Sequence, residues 1–238
     1  MDLDQYYSLD GESLQFSRAQ SSAFAKEVAG DFNPIHDVDA KRFCVPGDLL
    51  FAVLLHRYGV RETMHVEFSG MVADNTPLHL PASINDQFSL CGEGEKTYLE
   101  IDAAGAKTES ADFVKSLTQQ YVMFSGQTFP HILVGLMQDN NVMINPDRPL
   151  VIYKNMSIQL SSMEATTVSL QLADASLRVD GKKGHASLRF LITDDVKEIG
   201  CGEKTMVLSG LREYDQELID RIVNEYAGWK SAYGGNQN

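Results

Sequence analysis

The sequence predicts an α+β protein in which an antiparallel sheet curls around a central apolar helix, with that unit built twice in 238 residues. Three observations predict it. The stretch Leu49-Leu50-Phe51-Ala52-Val53-Leu54-Leu55 has helical neighbours but no polar face, and a short helix of that kind has to be enclosed by other structure. The segments that follow, Met64-His65-Val66-Glu67-Phe68 and Thr97-Tyr98-Leu99-Glu100-Ile101, alternate with period two, as half-buried strands do. From about Asp112 the same order of elements begins again.

The first helix is expected to start at Ser17, because Ser17-Arg18-Ala19-Gln20 has the capping-box form and Phe24, Ala25 and Val28 repeat at helical spacing. Gly30 is a natural stop, and Asn33-Pro34 marks a turn that cannot continue the helix. A second helix is expected from about Pro46 to Tyr58. Pro46 sits near its first turn, Asp48 suits the dipole there, His56 and Arg57 lie near its end and Gly59 follows.

The second half repeats the first in three places, in the same order. Val28-Ala29-Gly30 answers to Phe124-Ser125-Gly126, and Pro46 before its apolar helix answers to Pro130 before Ile132-Leu133-Val134. Met64 to Met71 and Met156 to Met163 then share the pattern M-x-[VI]-[EQ]-[FL]-S-x-M. Ordered matches of this kind point to duplication, with one unit over 1–111 and a second over 112–238. Strands are expected over Ala175 to Val179 and His185 to Ile192 around the turn Asp180 to Gly184. A last amphipathic helix presents Leu218, Ile222 and Tyr226 on one face, and Gly234-Gly235-Asn236-Gln237-Asn238 is expected to be a loose tail.

Composition narrows the function. A formal net charge of −13 argues against nucleic acid or an anionic membrane surface as partner. Cys44, Cys91 and Cys201 are widely spaced, with no CxxC and no clustered His, so neither a disulfide framework nor a zinc site is indicated. The acidic N-terminus lacks the apolar core of a secretory signal, and the longest apolar run, Leu49 to Leu55, is far short of the roughly 20 residues that span a bilayer. A cytoplasmic protein that is not a membrane protein is expected.

The loop after the first helix carries the chemistry. Gly30-Asp31-Phe32-Asn33-Pro34-Ile35-His36 resembles the G-D-x-N-P-[hydrophobic]-H signature of the MaoC-like, (R)-specific enoyl-CoA hydratases of the hot-dog superfamily. The resemblance is close over about 17–52 and elsewhere rests on element order; the whole chain also looks like an uncharacterised double hot-dog family. It implies a double hot-dog fold, no metal and no cofactor. It further implies Asp31 and His36 holding the attacking water, Asn33 supporting their geometry, and a backbone N–H at the start of the central helix polarising a thioester carbonyl. Gly47 is the candidate for that amide. Many of these hydratases have His-Gly where this chain has Pro46-Gly47, and the loop from His36 to Pro46 is several residues shorter than usual. The second half has Gly126-Gln127-Thr128-Phe129-Pro130-His131, without the Asp or the spaced His. One reactive site per chain is therefore expected.

The residue types suit the reaction. Adding water to a trans-2-enoyl thioester needs a base for the water and an acid for C2, roles a carboxylate beside an imidazole can share. Charge developing on the thioester oxygen suits the unpaired N–H groups of a helix N-terminus. The expected partner is an acyl or enoyl thioester, carried by CoA or acyl-carrier protein, and the expected assembly is a monomeric pseudo-dimer or a homodimer. Two alternatives stand beside the hydratase: a non-catalytic binding protein for an acyl thioester or other apolar ligand, and a hot-dog thioesterase.

Overall fold

The computed structural model describes residues 1–81 and 84–235. Strands β1 (Ser8–Asp10) and β2 (Ser13–Gln15) lead into α1 (Arg18–Ala23). Ser17 and Gln20 form the expected capping box, each side chain accepting from the other's backbone N–H at 3.2 and 3.0 Å. The helix then widens into a π-helical turn over Phe24–Ala29 and stops at Gly30, whose φ of 66° lies in the left-handed region that favours glycine. A single helical turn, Pro34–His36, precedes α2 (Gly47–Tyr58).

Then follow β3 (Val60–Phe68), β4 (Leu78–His79), β5 (Gln87–Gly92) and β6 (Thr97–Thr108), and after them α3 (Ala111–Gly126) and α4 (Leu133–Asp139). The chain closes with β7 (Val142–Met143), β8 (Val151–Leu160), β9 (Ser169–Asp180), β10 (Lys183–Asp194), β11 (Lys197–Ser209), β12 (Arg212–Glu213) and α5 (Gln216–Gly235). Among the described residues, ten strands form one sheet in the order β1-β2-β4-β5-β6-β3-β8-β11-β10-β9, and every pairing is antiparallel. This is the double hot-dog architecture: an α+β fold with one continuous sheet and a buried helix at its centre.

The join between β3 and β8 shows why the M-x-[VI]-[EQ]-[FL]-S-x-M segments occur twice. Met64 pairs with Ile158, His65 with Ser157 and Val66 with Met156. The second position of one copy therefore faces the second position of the other, with a pseudo-two-fold axis passing between them. The copies also keep equivalent outer neighbours, since Met64 faces Ala103 of β6 and Met156 faces Lys204 of β11.

Helix α2 is buried from Asp48 to Leu55 and again at Tyr58. Its apolar side chains pack with those of β3, β5, β6, β8 and α3 in one core, each fully buried leucine contributing about 1.5–3 kcal/mol. Helix α4 is far shorter than α2 and buries only Leu133 and Met137, so the apolar run Ile132-Leu133-Val134 does not make a second enclosed helix of equal length. Leu133 and Met137 instead join Leu177, Leu188, Leu208 and Ile219 in a second core, while α3 packs into the α2 core, with Phe113, Leu117 and Tyr121 fully buried and the Tyr121 ring 5.0 Å from that of Phe51. The loose tail is corrected in part. Helix α5 runs through Gly234 to Gly235, while Asn236 to Asn238 lie outside the described residues. No described helix is long and apolar enough to cross a membrane.

The two copies meet where the end of α3 crosses the end of the π-helical turn. A Cβ on Gly126 would lie 1.7 Å from the Ala29 carbonyl oxygen, a backbone atom that cannot swing aside. Gly126→Ala is therefore expected to force the two helices apart at a cost of about 3 kcal/mol or more. Thermal melting should show a drop of roughly 6–12 °C.

Candidate active site

The π-helical turn and its left-handed stop aim the chain at Gly30 so that Asp31 begins the loop with its N–H bonded to the Ala25 carbonyl at 2.8 Å. Asp31 and Asn33 each organise the turn through their own side chains. The Asn33 N–H donates to Asp31 Oδ1 at 3.0 Å, and the Ile35 N–H donates to Asn33 Oδ1 at 3.2 Å. The loop is then pinned to the body of the protein. Arg18 donates to the carbonyls of Val38 and Ala40 and pairs with Asp74 at 3.3 Å, and Lys26 pairs with Asp37 at 2.7 Å.

This places the Asp31 and His36 side chains together. Their carboxylate Oδ2 and imidazole Nε2 lie 3.8 Å apart, with 21% and 12% of the two side chains exposed. The other imidazole nitrogen, Nδ1, lies 2.7 Å from the Cys44 carbonyl oxygen. A carbonyl can only accept, so Nδ1 carries a hydrogen, and in the neutral imidazole Nε2 turns its lone pair toward Asp31. A gap of 3.8 Å is too long for a direct hydrogen bond and suits one water bridging the two groups. Burial pushes the Asp31 carboxyl above the usual carboxylate range, and the nearby Asp48 charge adds to it; His36, the Asn33 N–H and Lys204 oppose this.

Cys44 contributes through its backbone. Its carbonyl orients His36, and its N–H donates to the Ile35 carbonyl at 3.1 Å. Burial pushes the Cys44 thiol up to about 11, which keeps it a neutral packing group. Gly47 is the first residue of α2, and no side chain caps that helix start. A Cβ there would meet the Phe68 and Tyr153 rings at 3.1 and 3.2 Å, so the glycine lets both rings close over the first turn.

Asp31, His36 and Gly47 all line one cavity of about 520 Å³. That volume lies within the roughly 300–1,000 Å³ range of small-molecule sites. Leu50 and Phe68 from the N-terminal copy, with Leu133, Met206 and Ile222 from the C-terminal copy, give it apolar walls. Helix α5 forms one side, and its Arg221 is the one cationic side chain among the described lining residues. The cavity is thus shared by the two copies, whereas the motif belongs to one.

Two further groups, neither assigned a site role from sequence, reach this wall through Tyr226 and Ser125. The first is Tyr226, expected only as part of an amphipathic face. The Phe32 N–H donates to its hydroxyl at 3.0 Å, and that hydroxyl lies 3.3 Å from the Gly30 carbonyl oxygen and 3.4 Å from Asp31 Oδ1. Tyr226→Phe would orphan a buried N–H, costing about 1–3 kcal/mol of stability. It also removes a donor that favours ionised Asp31, so the Asp31 pKa, followed by carboxyl ¹³C NMR, is expected to rise further. The second is the cluster of Asp48, Ser125 and Lys204. Asp48 stands in the first turn of α2, where it suits the dipole, and its carboxylate also accepts from Ser125 Oγ at 2.9 Å and from Lys204 Nζ at 3.2 Å.

Fold and cavity together define a double hot-dog protein with a single-copy Asp–His pair facing an apolar chamber. The model of the family described as "Protein of unknown function (DUF3581)" matches residues 1–217, and the chain belongs to that family. No curated protein matches the chain. It is similar in structure to a conserved protein of unknown function with a hot dog fold from Alicyclobacillus acidocaldarius, at 9% identity and a TM-score of 0.46, over 87% of this chain and 97% of that one. It is also similar to the acyl-CoA thioesterase II TesB2 of Mycobacterium marinum, at 8% identity and a TM-score of 0.44, over 91% and 99%. A third likeness is to a bifunctional dehydratase-cyclase domain of ambruticin biosynthesis, at 12% identity and a TM-score of 0.39, over 92% and 98%. No residue role is carried from these structures to this chain.

Proposed function

We propose that this protein is a hydro-lyase that adds water to an enoyl thioester, working in the cavity between two duplicated units, 1–111 and 112–238. The observation that carries the proposal is the pairing of Asp31 and His36 across 3.8 Å at the wall of an apolar cavity. The MaoC-like resemblance supplies the substrate class. A water held between the two side chains attacks C3 of the enoyl group, and His36 Nε2 takes its proton. The electron pair of the double bond moves onto the thioester oxygen, where the Gly47 N–H at the start of α2 stabilises it. Asp31, whose raised pKa favours the acid form, delivers a proton to C2 as the enolate collapses. A final proton transfer from His36 to Asp31 restores the starting state, and neither metal nor cofactor enters these steps.

The hydrolytic alternative uses the same water against the thioester carbonyl carbon and releases a free thiol. Crotonyl-CoA and longer enoyl-CoA substrates separate the two reactions. Loss of the enoyl absorbance without thiol release is the expected result. Thiol release from saturated and unsaturated acyl-CoA alike would identify a thioesterase instead, and ligand binding without either change would identify a binding protein.

A further inference from the structure

We propose that Ser125 is a second oxygen-binding group of this cavity, a hydroxyl that donates to the carbonyl oxygen of a bound thioester while Lys204 donates to its Oγ. The inference rests on the thioester reading above and adds a ligand contact from the C-terminal copy, which lacks the hydratase-like motif.

Ser125 lies at the end of α3, lines the cavity and is 3% exposed. Its Oγ is 2.9 Å from Asp48 Oδ1, and Asp48 is the residue after Gly47. The hydroxyl therefore stands beside the first turn of α2, where the Gly47 N–H is available. Lys204 reaches the same point from β11. Its Nζ donates to Ser125 Oγ and approaches Asp48 Oδ1 and Oδ2 at 3.2 and 3.4 Å, and it sits 3.5 Å from the centre of the Tyr153 ring. The ion pair and the ring both favour the ammonium form. With Lys204 donating to Oγ, the single hydroxyl hydrogen is free to rotate from Asp48 to a ligand oxygen. Asp48 keeps Lys204 as its partner when that happens. The result is a charge-assisted donor, stronger than an isolated serine.

The duplication supplies an internal control. By the ordered matches and the strand register, the counterparts of Ser125 and Lys204 in the other copy are Ala29 and Ala103. The fold thus accommodates apolar residues at both positions. A lysine with no exposed surface is costly to bury, and the duplicated scaffold does not demand one there. Its place beside a helix N-terminus and a cavity-lining serine is accounted for by a ligand oxygen in the cavity.

The test compares crotonyl-CoA with S-butyl-CoA, a thioether lacking the carbonyl oxygen, in His36→Ala protein so that turnover does not intervene. Titration calorimetry is expected to show the thioester bound about 10-fold or more tightly than the thioether. Ser125→Ala should bring that ratio close to one and leave thioether binding unchanged, and Ser125→Thr should keep most of it. The paired change Asp48→Leu with Lys204→Met, which removes both charges, should also lower the ratio. A ratio that survives Ser125→Ala, or equal weakening of both ligands, overturns the Ser125 assignment and leaves the thioester reading standing. Failure of the parent protein to bind either ligand overturns both.

Discussion

Replacing Asp31 by Asn or His36 by Ala is expected to lower kcat/KM for crotonyl-CoA hydration by about 10²–10⁴-fold, the usual range for a lost general acid or base. The two changes should fall mainly on kcat, because each side chain acts on protons in flight and neither forms the apolar wall that holds the acyl chain. They should also be non-additive. One bridging water needs both partners, so the double variant is expected to be about as slow as the slower single one. Their pH profiles should differ in a defined way. Burial raises the Asp31 pKa, so the acid form needed at C2 persists to higher pH than for an exposed carboxyl, and activity should fall as pH rises through that value. Asp31→Asn removes this limb and His36→Ala leaves it. Hydration that survives both substitutions would reject the dyad.

Much of this site was legible because its signals are local. Ser17 with Gln20 declares a helix start, Gly30 a left-handed stop and Asn33-Pro34 a turn, and these short-range rules alone bring Asp31 and His36 onto one loop. The unbroken apolar run of α2 announced enclosure, and the repeated M-x-[VI]-[EQ]-[FL]-S-x-M segments announced two copies. Their register across β3 and β8 required the structure, since sequence similarity says nothing of which strand pairs with which. Tyr226 is 195 residues from Asp31, and no periodicity links a helix face to a distant carboxylate.

Lys204 left a trace that strand reasoning could have caught. It shares a face of β11 with Met206 and Leu208, all three buried, so alternation alone puts a charge where the pattern asks for an apolar residue. Asp48 left an incomplete trace, because an acidic residue in the first turn of a helix is ordinarily explained by the dipole alone. Only their meeting, 156 residues apart in sequence, separates a buried ion pair from two routine choices.

That ion pair makes the largest stability prediction. Lys204 has no exposed side-chain surface and Asp48 only 6%. Lys204→Met alone would leave the Asp48 carboxylate buried with only the neutral Ser125 and Tyr153 hydroxyls beside it, at an expected cost of about 3–5 kcal/mol. In a chain of this size that corresponds to a fall of roughly 6–20 °C in Tm. Adding Asp48→Leu should restore most of the loss, because removing both charges also removes both desolvation penalties. The difference between the wild type and this double variant should depend on pH with a known sign. Desolvation lowers the Lys204 pKa in the folded protein despite the Asp48 charge, so the folded state sheds its proton before the unfolded chain does. Stability from this group is therefore gained as pH rises from the folded value toward about 10.4 and is lost as pH falls back through the folded value. Denaturant melts across that window should show the wild type gaining on the double variant toward alkaline pH. A Lys204→Met protein that melts with the wild type at neutral pH would mean that Asp48 carries no uncompensated charge. The charge-assisted donor inferred for Ser125 would then lose its source.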